Sequence, residues 1–196
     1  RLLLTNGYMV VITTKSNLVV RDIDILRNNN VVVAVTVTTD NDELARKLEP
    51  GAPPPSDRIK ALNELSNAKI TTVARVDPII PFINDDKIML RRLIKRLADA
   101  GVTQITTSTL KVRGDILTRL CKVFPNVADD LRKLYAIGEK LGSYIYLPKD
   151  IRLKYVILLK ELAESEGLAF SSCREGLNYL STPGICCDGS TYLYLR

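Results

Sequence analysis

VVVAVTVTTDNDELARKLEPGA, residues 31–52, is the stretch on which the fold turns. Its first half is an almost unbroken β-branched run, the pattern of a strand buried on both faces within a parallel sheet. The run ends in Thr36, Thr38 and Thr39, so hydroxyls gather at the strand's carboxyl end. Asp40 or Asn41 can cap a short amphipathic helix over 42–48. Pro50, Pro53, Pro54 and Pro55 then hold an extended loop. The strand before it, 9–13, has the same design and runs into Lys15 and Ser16. Two successive strands thus bring hydroxyls and one amine to the same edge, and ligands of parallel α/β folds bind at that edge.

Working outward, the alternation stays regular. RLLLTNG at residues 1–7 reads as the last turn of a helix closing at Gly7, a helix end without a beginning, which leads us to expect further sequence ahead of Arg1. A helix is expected over 18–28. Ser56 is expected to cap a helix running to about 69, followed by a strand over 70–76 and a loop over 77–86. A helix over 87–100 closes at Gly101, and a fourth strand covers 102–107. The last third reads as mostly helical, over 113–123, 127–141 and 149–166, with a short strand at 168–171 and an irregular tail. The expected fold is α/β, with four βα units and right-handed crossovers over residues 1–112. A helical C-terminal extension, 113–196, packs on them within one domain. Four units are too few for a closed eight-stranded barrel, which leaves an open sheet or part of a barrel.

The chain has 196 residues, enough for one real core. Its net charge of +6 permits an anionic partner without requiring one. The densest basic group, Arg91, Arg92, Lys95 and Arg96, reads as a solvated helix face. His is absent, which excludes imidazole acid–base chemistry and His metal sites. No apolar run reaches membrane-spanning length, and a cytoplasmic location is the expectation. Cys121 reads as core. Cys173, Cys186 and Cys187 cluster near the C-terminus with no zinc or iron–sulfur spacing, so a disulfide or packed thiols fit better than a metal site. The tyrosines at 144, 146, 179, 192 and 194 fit the packing of the tail, with base stacking as the alternative.

Three segments carry a resemblance: ITTKSNLVVRDIDIL (12–26), VTVTTDNDELARKLEPGAPPPSDRIKALNEL (35–65) and DPIIPFINDD (77–86). Together with the tail CREGLNYLSTPGICCDGS they resemble radical S-adenosylmethionine (SAM) proteins of the spore photoproduct lyase-like group, over about residues 7–192. The most specific part is Thr-Thr-x4-Leu-x3-Leu-Glu-Pro-x-Ala-Pro, Thr38 to Pro53. The resemblance implies that this chain holds four strands of a six-stranded partial barrel. It implies that Lys15, with Ser16 beside it, holds the SAM methionyl carboxylate, and that a hydroxyl of Thr36 or Thr38 contacts SAM. It places Arg58 near the carboxylate, and Ile80 against the adenine. Equally, Glu49 and Arg58 can simply staple the proline loop. Thr106, Thr107 and Ser108, ending the fourth strand, can reach the adenine or the substrate.

The family's three-cysteine loop, Cys-x3-Cys-x2-Cys, is absent from this sequence. The resemblance therefore implies SAM and a four-iron four-sulfur cluster for an intact protein, not a cluster on these residues. There, reductive cleavage of SAM would yield a 5′-deoxyadenosyl radical that abstracts hydrogen from an unidentified substrate, nucleic acid being one candidate. No catalytic or metal-ligating residue is assigned. The competing reading is a non-catalytic α/β module that binds a nucleotide or nucleic acid. The first strand, lacking neighbours on one side, is expected to leave an exposed sheet edge that invites self-association.

Overall fold

The computed structural model describes residues 1–27, 29–172 and 174–194. Helix α1 (Leu2–Thr5) leads through Gly7 into strand β1 (Val10–Thr14). The expected helix over 18–28 is two pieces, a 3₁₀ turn (Asn17–Asp22) and α2 (Ile23–Leu26). The β-branched Val19, Val20, Ile23 and Ile25 lower its helix propensity. Strand β2 (Val31–Thr36) follows, then α3 (Asp42–Leu48), α4 (Pro55–Asn67), β3 (Thr71–Ile79), α5 (Lys87–Asp99) and β4 (Gln104–Thr109). Helices α6 (Ile116–Val123) and α7 (Ala128–Ala136) precede an antiparallel hairpin of β5 (Glu139–Leu141) and β6 (Tyr144–Tyr146). The long α8 (Lys149–Ser165) and strand β7 (Ala169–Ser172) complete the framework.

The sheet is open and wholly parallel, in the order β1-β2-β3-β4-β7. The four expected units thus lie side by side in chain order, and the short strand of the last third adds a fifth. Several boundaries shift from the sequence reading, and of its two cap candidates for α3 one is used. Asn41, not Asp40, caps α3, accepting from the amides of Glu43 and Leu44. Pro55 is the first residue of α4, and Ser56 bonds Asp42 instead of capping. Strand β3 continues through Asp77 and Pro78, where a bulge between Val76 and Ile79 accommodates a residue with no amide hydrogen. The expected helix over 127–141 stops at Ala136. Gly138 lies so close under the Tyr146 carbonyl that no side chain fits there, and the chain turns back as the hairpin.

Every residue of β2 is buried, because both faces of the sheet are covered. Alternate residues point opposite ways. Val31, Val33 and Val35 join Ala74, Val76, Ile105 and Phe170 in the main core under α4, α5 and α8. Val32, Ala34 and Val73 face the other side, where the C-terminal tail seats Tyr192 and Leu193 on them. A second cluster, around Ile80, Val112, Leu131 and Leu147, binds α6, α7 and the hairpin to the sheet's carboxyl end. Strand β1 is the margin. Among the described residues no strand pairs with its far side, and Tyr8, Met9 and Leu18 nearby are exposed. No described helix is long and apolar enough to cross a membrane.

Candidate functional site

The sheet face beneath the tail changes character along the strands. Its amino half is apolar, with Val11, Val32, Ala34 and Val73. Its carboxyl half is polar. Thr36, Arg75, Thr106 and Ser171 lie in register across four neighbouring strands. Above them opens a cleft of about 610 Å³ whose walls include Thr13, Lys15, Thr36, Arg75, Asp77 and Ser108. The hydroxyls expected at the strand ends are thus brought to one place by the shared register of a parallel sheet.

A second cavity, about 390 Å³, adjoins it and shares Lys15 and Pro78. Its lining is mostly apolar, from Leu48, Pro50, Ile80, Leu110, Ile116, Leu120, Val123 and Phe124. Lys47, Glu49 and Arg119 also line it, and Thr38 is a buried hydroxyl in its wall. Thr38 is 2% exposed, and among the described residues its Oγ1 has no hydrogen-bond partner. A buried hydroxyl without a partner is costly, so it marks a place where a ligand group can complete the bonding.

Lys15 stands where the two cavities meet, and a relay of charges holds it. Its Nζ donates to Glu49 Oε1 at 2.6 Å. The other carboxylate oxygen of Glu49 lies 2.6 Å from Arg58 Nη1, an ion pair without hydrogen-bond alignment. Arg58 is 1% exposed. Its Nε donates to the Pro53 carbonyl at 2.7 Å, and its Nη1 to the Thr36 carbonyl at 3.0 Å. Arg58 thus ties the proline loop to the end of β2, and among the described residues its buried Nη2 has no partner. Ser16 has a local role, its Oγ accepting from the Leu18 amide to cap the 3₁₀ turn. Ile80 is buried in the apolar wall, and its amide donates to Asn84 Oδ1 at 2.6 Å.

Several residues that shape the site were not singled out from sequence. Asn84 is fully buried and also donates to the carbonyls of Thr38 and Pro78, locking the ends of β2 and β3 together. Glu175, 1% exposed, accepts from the Thr109 amide at 2.8 Å and from Lys111 Nζ at 2.7 Å. Arg152, buried in α8, donates to the Glu175 carbonyl and to Glu139. The buried Asp40 side chain pairs with Arg92 and Arg96, which stay exposed on the basic face of α5. Burial alone would raise the Asp40 carboxyl. The Arg92 hydrogen bond and the two guanidinium charges outweigh it and hold the group below the usual range. No short sequence pattern marks these contacts, since each joins distant segments.

The tail closes one side of the cleft. Gln104 Nε2 donates to the Cys186 carbonyl at 2.9 Å and Thr106 Oγ1 to the Cys187 carbonyl at 2.8 Å. Thr106, a candidate ligand contact from sequence, thus anchors the tail. Thr107 donates to the Val76 carbonyl. Cys187 and Asp188 line the cleft. Cys121 is buried on α6. Cys173 lies outside the described residues, and with it the expected proximity to Cys186 or Cys187. Among the described residues no group of three His, Cys, Asp or Glu could hold a metal ion.

No family model matches the chain. An uncharacterized protein of Acidianus two-tailed virus is 30% identical over 70% of this chain and 49% of its own length. A protein of Pseudomonas phage M6 named radical SAM Nα-GlyT isomerase is 27% identical over 78% of this chain and 33% of its own. Among solved structures, spore photoproduct lyase with bound AdoMet and dinucleoside spore photoproduct superposes with a TM-score of 0.63. That match covers 82% of this chain and 49% of the lyase, at 15% identity. The chain thus has the fold of about half of spore photoproduct lyase, and spans about half the length of the viral relative.

Proposed function

We propose that this chain is the SAM-holding part of a radical SAM protein of the spore photoproduct lyase-like group, acting on a nucleic-acid substrate. The observation that carries the reading is the pair of adjoining cavities with Lys15 between them and the unpartnered Thr38 hydroxyl in the apolar one. The fold shared with a lyase whose structure holds AdoMet and a dinucleoside supports it. SAM needs an apolar slot for a purine, a cation for a carboxylate and hydroxyl partners for its polar groups. Ile80 and its neighbours suit the first. Lys15 suits the second: its ammonium has three donors, so it can keep Glu49 and still bind a ligand carboxylate. Thr36 and Thr38 suit the third. In this reading Ser16 and Arg58 position Lys15, one by capping its loop and the other by holding Glu49.

When reduced by one electron, bound SAM supplies a 5′-deoxyadenosyl radical. These residues do not fit the iron–sulfur cluster that delivers the electron: the three-cysteine spacing is absent and no described acid–thiol group suits a metal. The cluster thiolates therefore belong, in this reading, to another segment of the intact protein. What the present residues do is bind, orient and shelter the cofactor.

Calorimetric titration of SAM into the protein tests the proposal. Lys15→Ala should weaken SAM binding by about 1.5–3 kcal/mol, the scale of a hydrogen bond to a charged group. Unchanged affinity in that variant would overturn the SAM assignment. ATP binding as tightly as SAM would favour the non-catalytic nucleotide-binding module.

A further inference from the structure

The charges around the larger cleft cancel in pairs, with two exceptions. Arg75 pairs with Asp77 at 2.6 Å, Lys15 with Glu49 at 2.6 Å and Lys111 with Glu175 at 2.7 Å. Arg174 and Asp188 also line the cleft, and among the described residues neither has an ion-pair partner. Asp188 is held by its surroundings, while the exposed Arg174 is fixed only through its backbone neighbour. Arg174 is rooted beside Glu175, whose buried carboxylate is fixed to Thr109 and Lys111. Asp188 Oδ1 accepts from the Ser190 amide at 2.8 Å. The next residue, Gly189, is pressed against Val32 and Val73, and the carbonyls on its other side are pinned by Gln104 and Thr106. Holding Asp188 in place lowers the ordering cost of binding at that group.

We infer that Arg174 and Asp188 read the substrate, Arg174 taking a phosphate and Asp188 a base N–H of a nucleotide unit seated in this cleft. The inference deepens the reading above and rests on it for the assignment of the cleft to substrate. Arg suits phosphate through its fork of donors, and an ionised Asp only accepts, so it selects an N–H. A ligand that engages both carries an anionic group and an N–H donor on one skeleton. A phosphorylated nucleoside does. The hydroxyls of Thr13 and Ser108 suit its sugar, and about 610 Å³ is ample room for one.

The test uses thymidine 5′-monophosphate, whose base has a single N–H. It is titrated by NMR into the wild-type chain, Arg174→Ala and Asp188→Ala. Thymidine, N3-methylthymidine 5′-monophosphate and inorganic phosphate are titrated in parallel. The wild type should prefer the nucleotide about 10-fold over thymidine and about 10-fold over the N3-methyl compound. Arg174→Ala should lose the first preference and keep the second, and Asp188→Ala the reverse, with Asp188→Asn retaining part of the second. The inference is overturned if the wild type does not bind the nucleotide, if both preferences survive in both variants, or if inorganic phosphate binds as well as the nucleotide. SAM titrated into the same samples separates the two ideas. SAM binding without nucleotide preference sinks only this inference, and absence of SAM binding by the wild type sinks the cofactor reading.

Discussion

Thr38→Val separates a residue kept for binding from one kept for stability. The swap preserves shape and removes one hydroxyl. That hydroxyl is buried and bonds to none of the described residues, and an unsatisfied buried group costs about 1–3 kcal/mol. Removing it should therefore stabilise the fold, by about 1 kcal/mol after allowing for a small loss of fit. The main-chain bond from Asn84 to the Thr38 carbonyl is untouched. For a domain of this size about 1 kcal/mol moves the melting temperature by about 2–4 °C. SAM affinity should move the other way, falling by about 0.5–1.5 kcal/mol for one neutral hydrogen bond. Thermal unfolding with and without saturating SAM reads both: the variant should melt higher when free and gain less from the ligand. A variant that melts lower than wild type when free, or gains as much from SAM, would refute the reasoning.

Other outcomes follow from the same geometry. Arg58→Ala should cost about 3–5 kcal/mol in urea unfolding, since it orphans the Thr36 and Pro53 carbonyls and strips Glu49 of one cation; a loss under about 1 kcal/mol would show that the staple is dispensable. Gly189→Ala should destabilise by about 1–3 kcal/mol and expose the tail to proteolysis, because a methyl would sit 2.6 Å from Val73 Cγ2 on a residue with φ of 76°; unaltered proteolysis would place the tail's anchorage elsewhere. Asp40 is held below the usual carboxylate range, so its contribution is present above about pH 4 and lost as pH falls through its folded value. Asp40→Asn should lower the melting temperature at about pH 7 and flatten its fall below about pH 4, which a melting series from about pH 2 to 7 would measure.

The strand order and the polar edge were legible because their signals are local. A run of Val followed by Thr is a buried strand with a hydroxyl end, and Asn41 ahead of Asp42–Leu48 is a capped helix, whatever surrounds them. The hairpin was missed for a related reason. Its residues continue a helix-like apolar pattern, and what ends the helix is a backbone approach at Gly138 that no window of sequence displays.

The sequence by itself thus determined that the protein is a parallel α/β sheet with Lys15, Thr36 and Thr38 at its carboxyl edge, because hydrophobic period, caps and turn residues act within a few positions of one another. Only the tertiary structure decided what those residues touch. Lys15 meets Glu49 from 34 residues away, Thr109 meets Glu175 from 66, and Gln104 meets Cys186 from 82. Such contacts are settled by how strands register and how the tail seats on them. Whether a buried hydroxyl or charge is satisfied or left waiting is therefore a property of the packed molecule.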